Sequence, residues 1–414
     1  MTDFELRPIL GHEINAFAAC QAAAFGGRYT TDQLESLAET LQYDRSLAVF
    51  DDGDLIATTS SYLASMTLPG LVRSDAAAVT DVSVAPTHRR RGLLTSMMRS
   101  QLDDLYSGNE TVAVLFASEG GIYGRYGYGA ATFGARYSID KRRARLLMPP
   151  GLAGRGSGSI RILEVAEALE AFPAVHNAYV PTRVGEVDRP PGEWAELLGD
   201  ARSPAEDARH RFYVCYEQRG SIDGYAVYRV APIEQSDPWR RAVFLEELCS
   251  LSDSAYMALW QYLLGIDLTE ELRTRSRPID EPLRYVLEDQ RQLRTTHWGD
   301  RTWVRLIDVP GALSRRRYDH EGALVIEVED SFCPWNEGRF RLSVDGGGVG
   351  AVERVESTPD LVLTVEVLGA TYLGGVAFRT LAEVGRIAEG TDGAALRADT
   401  MFQVRRPPFC TTNF

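Results

Sequence analysis

The segment THRRRGLL at positions 87–94 concentrates positive charge in an otherwise acidic chain. Its arginines, Arg89, Arg90 and Arg91, supply guanidinium donors that suit phosphate oxygens. Gly92 allows an anion to approach the backbone closely. Together, these residues could bind a pyrophosphate group. The alternative is a solvated, salt-bridged surface in which Gly92 only eases a turn.

A second group of residues, GIYGRYGYG, places Tyr123, Tyr126 and Tyr128 among glycines. A tyrosine hydroxyl, with a reference pKa of about 10, keeps its proton at neutral pH and can protonate a thiolate whose reference pKa is about 8.5. The pattern does not choose among the three tyrosines. Its alternative interpretation is a packed aromatic turn.

No histidine or glutamate stands out as a general base. The sequence ends in PPFCTTNF, with two prolines that stiffen the approach to Phe414. Burial of this aromatic side chain would hold the α-carboxylate at a fixed place. The alternative interpretation is an ordinary C-terminal strand whose terminal carboxylate has no catalytic role.

The basic segment must lie between a strand and a helix. Residues 81–84 are typical of a strand end, and apolar residues at 94, 97, 98, 102 and 105 predict a helix over 93–106. The free N–H groups at a helix start, together with the helix dipole, favour an anion. The nucleotide-binding patterns GxGxxG and GxxxxGK[ST] are both missing from the sequence.

Composition limits the classes of function. The chain has 414 residues, of which 44% are hydrophobic and 25% charged, as expected for a globular protein of several domains. A net charge of −14 argues against nucleic acid or an anionic membrane as the main partner. We expect no membrane span and a cytoplasmic location. The five scattered cysteines predict neither disulfide nor metal chemistry.

The chain contains one type of unit twice. A hairpin around Asp52-Gly53 has a counterpart at 212–230, and each is followed by a further strand and a helix. We therefore predict a domain at 1–147, a Gly/Pro/Ser-rich linker at 148–159, a second domain at 160–295 and a third of different type at 296–414. In the second unit Glu246, Glu247 and Asp253 replace the basic turn and would repel a pyrophosphate, so no cofactor is expected there.

The strand, basic turn and helix resemble the acyl-CoA-binding motif of GNAT N-acetyltransferases. VSVAPTHRRRGLL at 82–94 and ASEGGIYGRYGYG at 117–129 are similar to the enhanced intracellular survival (Eis) family of bacterial GNAT enzymes. Leu94 departs from the general GNAT pattern, where a second small residue is common. The resemblance implies a mixed α/β fold, with tandem GNAT folds of which the second is degenerate, a C-terminal sterol-carrier-like α+β domain, and a homo-hexamer.

The resemblance also implies site residues. Acetyl-CoA would be the co-substrate, without a metal, bound by Val82, Ser83, Val84, Arg89, Arg90, Arg91, Gly92, Leu93, Leu94, Thr95, Ser118 and Glu119. Tyr123 would be the general acid, and the α-carboxylate of Phe414 the base.

The function implied is acetylation of primary amines, in a small polyamine or aminoglycoside-like acceptor or a protein lysine. The best-studied relatives carry an acidic residue before the terminal aromatic residue, whereas Asn413 stands here; Asp81 is a carboxylate that would compensate. The alternative is a lipid-binding or scaffold protein with a vestigial acetyltransferase unit. The intact RRRG and Tyr123 favour the enzyme.

Overall fold

The computed structural model describes residues 4–147, 158–199, 211–234 and 236–414. Residues 148–157 of the predicted linker lie outside these ranges. The first strands are β1 (Glu5–Pro8), β2 (Ser46–Asp51), β3 (Asp54–Leu68), β4 (Val72–Val84), β5 (Val112–Phe116) and β6 (Gly129–Ala130). The next are β7 (Phe133–Asp140), β8 (Ser159–Leu163), β9 (Arg211–Gln218), β10 (Ser221–Glu234), β11 (Asp237–Ser250), β12 (Glu271–Thr274), β13 (Arg277–Pro278) and β14 (Arg294–Asp300). The last are β15 (Thr302–Leu306), β16 (Gly322–Glu329), β17 (Gly338–Val344), β18 (Gly350–Arg354), β19 (Leu361–Thr364) and β20 (Ile387–Glu389).

The helices alternate with these strands, which gives the mixed α/β fold expected from the sequence. Those of the first part are α1 (Ile14–Phe25), α2 (Thr31–Thr40) and α3 (Leu93–Ser107). The middle part has α4 (Val165–Tyr179), α5 (Pro191–Leu198), α6 (Asp253–Gly265) and α7 (Leu283–Val286). The last part has α8 (Val309–Arg315), α9 (Val365–Thr371), α10 (Phe378–Glu383) and α11 (Ala394–Phe402). In the described ranges we find no helix with the length and apolar character needed to span a bilayer.

Contacts divide the chain into two compact units. The first joins Met1–Thr132, Val184–Val187 and Asp300–Phe414, and the second joins Phe133–Arg183 and Asp188–Gly299. The N-terminal and C-terminal parts of the sequence therefore share one unit. This grouping follows from strand pairing between distant segments, which leaves no local signal in the sequence.

The first unit contains a seven-stranded sheet in the order β1-β2-β3-β4-β5-β15-β6. Strand β15, which the sequence analysis places in the third domain, lies between β5 and β6 and pairs antiparallel with both. Its five residues are all buried, as is usual for a central strand. The same unit holds a five-stranded sheet, β18-β17-β16-β19-β20, formed by the C-terminal residues.

The second unit contains the eight-stranded sheet formed by β7–β14. Strand β7, which the sequence analysis assigns to the domain at 1–147, pairs antiparallel with β12 and β13 of this sheet. The predicted hairpin at 212–230 is confirmed as β9 and β10, joined at Arg219-Gly220. The seven-stranded sheet thus includes a strand from the C-terminal part of the sequence, and the eight-stranded sheet includes a strand from the predicted N-terminal domain.

Candidate active site

The basic segment lies at the strand-to-helix junction that the sequence predicts. Helix α3 begins at Leu93, and Gly92 is its N-cap with φ +84°, a left-handed conformation that favours glycine. A Cβ atom at Gly92 would meet no atom within 4 Å, so the backbone there is open to a ligand. Arg90 and Arg91 are exposed and make no hydrogen bond or ion pair with the described residues. Two unpaired cations therefore lie beside the free N–H groups of a helix start.

Strands β4 and β5 are paired over a short distance only. Their parallel ladder consists of Ala77 with Ala113 and Ala78 with Val114. Beyond it, Ser83 and Val84 stay paired with β3, and residues 82–84 lie outside the ladder with β5. Backbone donors and acceptors of this stretch are thus available to an extended ligand chain. Ser118 and Glu119, which follow β5, are exposed.

The three tyrosines of the glycine-rich turn have different surroundings. Tyr126 shares a hydrogen bond of 3.1 Å with Thr95 on the first turn of α3. Tyr128 is fully buried and its hydroxyl has no partner among the described residues. Tyr123 is 5% exposed, and its hydroxyl makes no hydrogen bond within those residues. Burial raises the pKa of Tyr123 to about 12, with a smaller contribution from Tyr126.

A buried arginine lies beneath this turn. Arg305 on β15 is 0% exposed and donates from Nη2 to Asp330 Oδ2 at 2.6 Å. A Cβ atom at Gly127 would lie 2.4 Å from Nη1 of Arg305, so the turn can pack against the guanidinium group only with glycine there. Burial raises the pKa of Tyr128, and the charge of Arg305 opposes that rise. The turn is thus fixed by a residue that is remote in the sequence.

The C-terminal residue lies at the end of β5. The ring of Phe414 contacts that of Phe116 edge-on, with 4.8 Å between centroids, and that of Tyr62 at 6.3 Å. Phe116 is the last residue of β5, two positions before Ser118. The structure therefore brings Phe414 to the same end of the first sheet as the predicted cofactor residues.

Two residues that the sequence analysis missed hold the C-terminal segment. Buried Glu186 accepts hydrogen bonds from the N–H of Thr411 at 3.0 Å and from its hydroxyl at 3.1 Å. Arg301 donates to Asn413 Oδ1 at 2.9 Å and lies over the ring of Phe116, 4.6 Å from its centroid. Neither belongs to a recognisable motif, and nothing in the sequence links 186 to 411.

The corresponding junction of the second unit differs. Helix α6 begins after Ser252, whose hydroxyl accepts from Ala255 N–H at 3.2 Å. Glu246 pairs with Arg229, and Glu247 pairs with Arg189 at 2.6 Å. These carboxylates have structural partners, and an acidic junction replaces the basic one. The absence of a cofactor from this unit stays a prediction.

Comparisons with known proteins identify each part of the chain. Residues 5–131 and 185–306 match models described as acetyltransferase (GNAT) domains, and 309–411 match a sterol carrier protein domain. An uncharacterised N-acetyltransferase from Streptomyces coelicolor is 42% identical, over 96% of both chains. The N-acetyltransferase Eis of Mycobacterium tuberculosis is 34% identical, over 81% of this chain and 80% of its own. The crystal structure of Eis1 from Mycobacterium abscessus superposes with a TM-score of 0.85 at 35% identity, covering both chains completely. The chain is therefore a member of the Eis family of GNAT N-acetyltransferases.

Proposed function

We propose that the protein transfers the acetyl group of acetyl-CoA to a primary amine of a small polyamine or aminoglycoside-like acceptor, or of a protein lysine. The observation that supports this most directly is the convergence of four features at one end of the first sheet. They are the unpaired arginines, the open edge of β4, the Tyr123 hydroxyl and the C-terminal segment.

The proposed cofactor site follows the path from α3 to β4. The N–H groups of Leu93, Leu94 and Thr95, with Arg89–Arg91 and Gly92, bind the pyrophosphate. The backbone groups of residues 82–84 bind the pantetheine arm, because that stretch of β4 lies outside the ladder with β5. Ser118 and Glu119 lie beside the thioester.

Tyr123 is the proposed general acid. The amine attacks the acetyl carbon, and the tetrahedral intermediate then collapses with cleavage of the C–S bond. Tyr123 donates a hydrogen bond to the departing sulfur and transfers its proton as the bond breaks. Burial raises the pKa of Tyr123 to about 12, which keeps the hydroxyl protonated until the C–S bond breaks but also makes it a weaker acid. Transfer of its proton is therefore favoured only because the same desolvation raises the pKa of the thiol that forms beside it.

The α-carboxylate of Phe414 is the proposed base. It takes the proton that the attacking nitrogen loses. Its reference pKa of about 3.5 makes it a weak base toward an ammonium ion, so it acts through a water molecule or on an amine that the site has already deprotonated. The contacts of Phe414 with Phe116 and Tyr62 support this assignment because they fix the residue beside β5.

A screen of amines tests the function. Each amine is incubated with the protein and acetyl-CoA, release of the CoA thiol is followed with a thiol reagent, and the product is identified by mass spectrometry. We expect acetylation of one or more small polycationic amines. Binding of a fluorescent fatty acid with no acetyl transfer to any amine would favour the lipid-binding alternative. The hexameric assembly that the resemblance implies and the cytoplasmic location expected from the sequence belong to the same proposal.

A further inference from the structure

The last residues of the chain are held by a short internal segment. Residues 403–414 belong to no helix or strand of the described structure, although several of their side chains are buried. The segment that holds them is 184–187, whose four residues are all buried. Its backbone is fixed to β3, because Thr67 N–H donates to the Glu186 carbonyl and Gly185 N–H donates to the Thr67 carbonyl, both at 2.8 Å. The segment thus has a defined position relative to the first sheet.

Two side-chain contacts join this segment to the end of the chain. The Glu186 carboxylate accepts from Thr411 N–H with both of its oxygens at 3.0 Å, and from the Thr411 hydroxyl at 3.1 Å. The hydroxyl of Thr412 donates to the Val187 carbonyl at 3.2 Å. Hydrogen bonds to a carboxylate are stronger than those between neutral groups, so the contact with Glu186 is the stronger of the two. Phe414 follows only two residues after the second contact.

The two contacts together define one register of the C-terminal segment. If the segment moved back by one residue, Thr412 would replace Thr411 beside Glu186, but Val187 would then face Asn413. One residue of extended chain spans about 3.3 Å. The terminal carboxylate would therefore move by about the length of a whole hydrogen bond.

We propose that Glu186 is a positioning residue for acetyl transfer, because its hold on Thr411 sets the place of the Phe414 carboxylate. This inference rests on the proposed function, since it concerns the group proposed as the base. A general base must lie about 2.6–3.2 Å from the atom that loses the proton, or from one bridging water. A shift of one residue would exceed that tolerance. Glu186 thus acts through the backbone of the C-terminal segment.

The test begins with substitutions at the contact itself. Glu186→Gln keeps the size of the side chain but brings an NH2 donor toward the donors of Thr411. It should lower kcat at least about tenfold, the scale expected when one charge-assisted hydrogen bond is lost, and leave the KM for acetyl-CoA unchanged. Thr411→Val, which removes only the hydroxyl donor, should lower kcat less, and Thr411→Ser should recover it.

A double-mutant cycle separates positioning from a general loss of stability. In a protein with two glycines added after Phe414 the carboxylate has already moved, so Glu186→Gln should lower kcat there by no more than about twofold. Glu110→Gln is the matched control, because it removes another paired carboxylate of the first unit, that of the ion pair with Arg45. Its effect should be the same with and without the extension. An equal loss of kcat from Glu186→Gln in both proteins would overturn the inference and leave the proposed base intact.

Release of Phe414 by a carboxypeptidase measures the contact without turnover. Glu186→Gln should raise the initial rate of phenylalanine release at least about tenfold, whereas Glu110→Gln should not change it. An unchanged rate in Glu186→Gln would overturn the inference. Faster release combined with wild-type kcat in the extended protein would instead refute the Phe414 base, and with it the catalytic consequence of the contact.

Discussion

The position of the Phe414 carboxylate should govern turnover. Adding two glycines after Phe414 leaves its ring contacts available but moves the terminal charge, whereas Phe414→Ala keeps a terminal carboxylate and removes the ring. If the carboxylate is the base, the extension should lower kcat by about 10²-fold or more, the usual scale for loss of general acid–base catalysis. The KM for acetyl-CoA should stay unchanged in both proteins.

The expected effect of Phe414→Ala follows from the contacts of the ring. Full burial of a phenylalanine contributes about 1.5–3 kcal/mol, and Phe414 is only half-buried. Its edge-on contacts with Phe116 and Tyr62 add about 0.5–1.5 kcal/mol. Half of the first range together with the second gives a loss of about 1.3–3 kcal/mol, which would reduce the population of the conformation that holds Phe414 against β5 by at most about 150-fold. The loss should be smaller still, because Glu186 and Arg301 continue to hold the segment.

The assay is steady-state release of the CoA thiol with a saturating amine, alongside calorimetric binding of acetyl-CoA. A protein with two glycines added before its N-terminus is the matched control and should turn over normally. Mass spectrometry confirms that the C-terminal extension is intact. An extended protein with wild-type kcat, or a larger loss for Phe414→Ala than for the extension, would show that the base is a side chain such as Asp81 or Glu119.

Four further predictions concern the remainder of the site. Arg90→Glu and Arg91→Glu should each raise the KM for acetyl-CoA at least about tenfold, since a reversed charge faces the pyrophosphate. An unchanged KM in both variants would exclude these arginines as the pyrophosphate-binding site. Tyr123→Phe should lower kcat about 10²-fold while acetyl-CoA still binds. If Tyr123→Phe leaves kcat unchanged and Tyr126→Phe lowers it, the assignment of Tyr123 as the general acid is wrong. Because the pKa of Tyr123 is raised to about 12, half of the hydroxyl groups are deprotonated at that pH and few below about pH 11. Deprotonation of Tyr123 should therefore not lower the kcat of the wild-type protein up to about pH 10. Calorimetry should give one acetyl-CoA per chain, and two equivalent sites would contradict the cofactor-free second unit.

Local features of the site could be predicted from the sequence. The helix predicted over 93–106 is observed at Leu93–Ser107, with Gly92 as its N-cap, because periodic apolar residues and a glycine are local signals. The tyrosines could not be separated in this way. Their differences depend on Thr95, on the depth of burial and on Arg305, which only the folded chain brings together.

Features that depend on contacts between segments far apart in the sequence could not be predicted from the sequence. The bulge at Asp81 is a mismatch between two strands, and neither strand shows it alone. The contact of Glu186 with Thr411 joins segments with no shared pattern. The pairing of β15 with β5 and β6 could not be predicted either, because its apolar residues are equally compatible with any buried sheet position.

The location of β15 has a consequence for the nascent chain. During synthesis β5, whose sequence is VAVLF, emerges long before residues 302–306. At about 5–20 residues per second, the ribosome leaves that edge of β5 without its partner for roughly ten seconds or more. An apolar strand edge in this state can pair with other chains. Folding of the first unit must therefore finish late. A nascent chain stalled before residue 302 should bind chaperones more strongly than one stalled after the last residue.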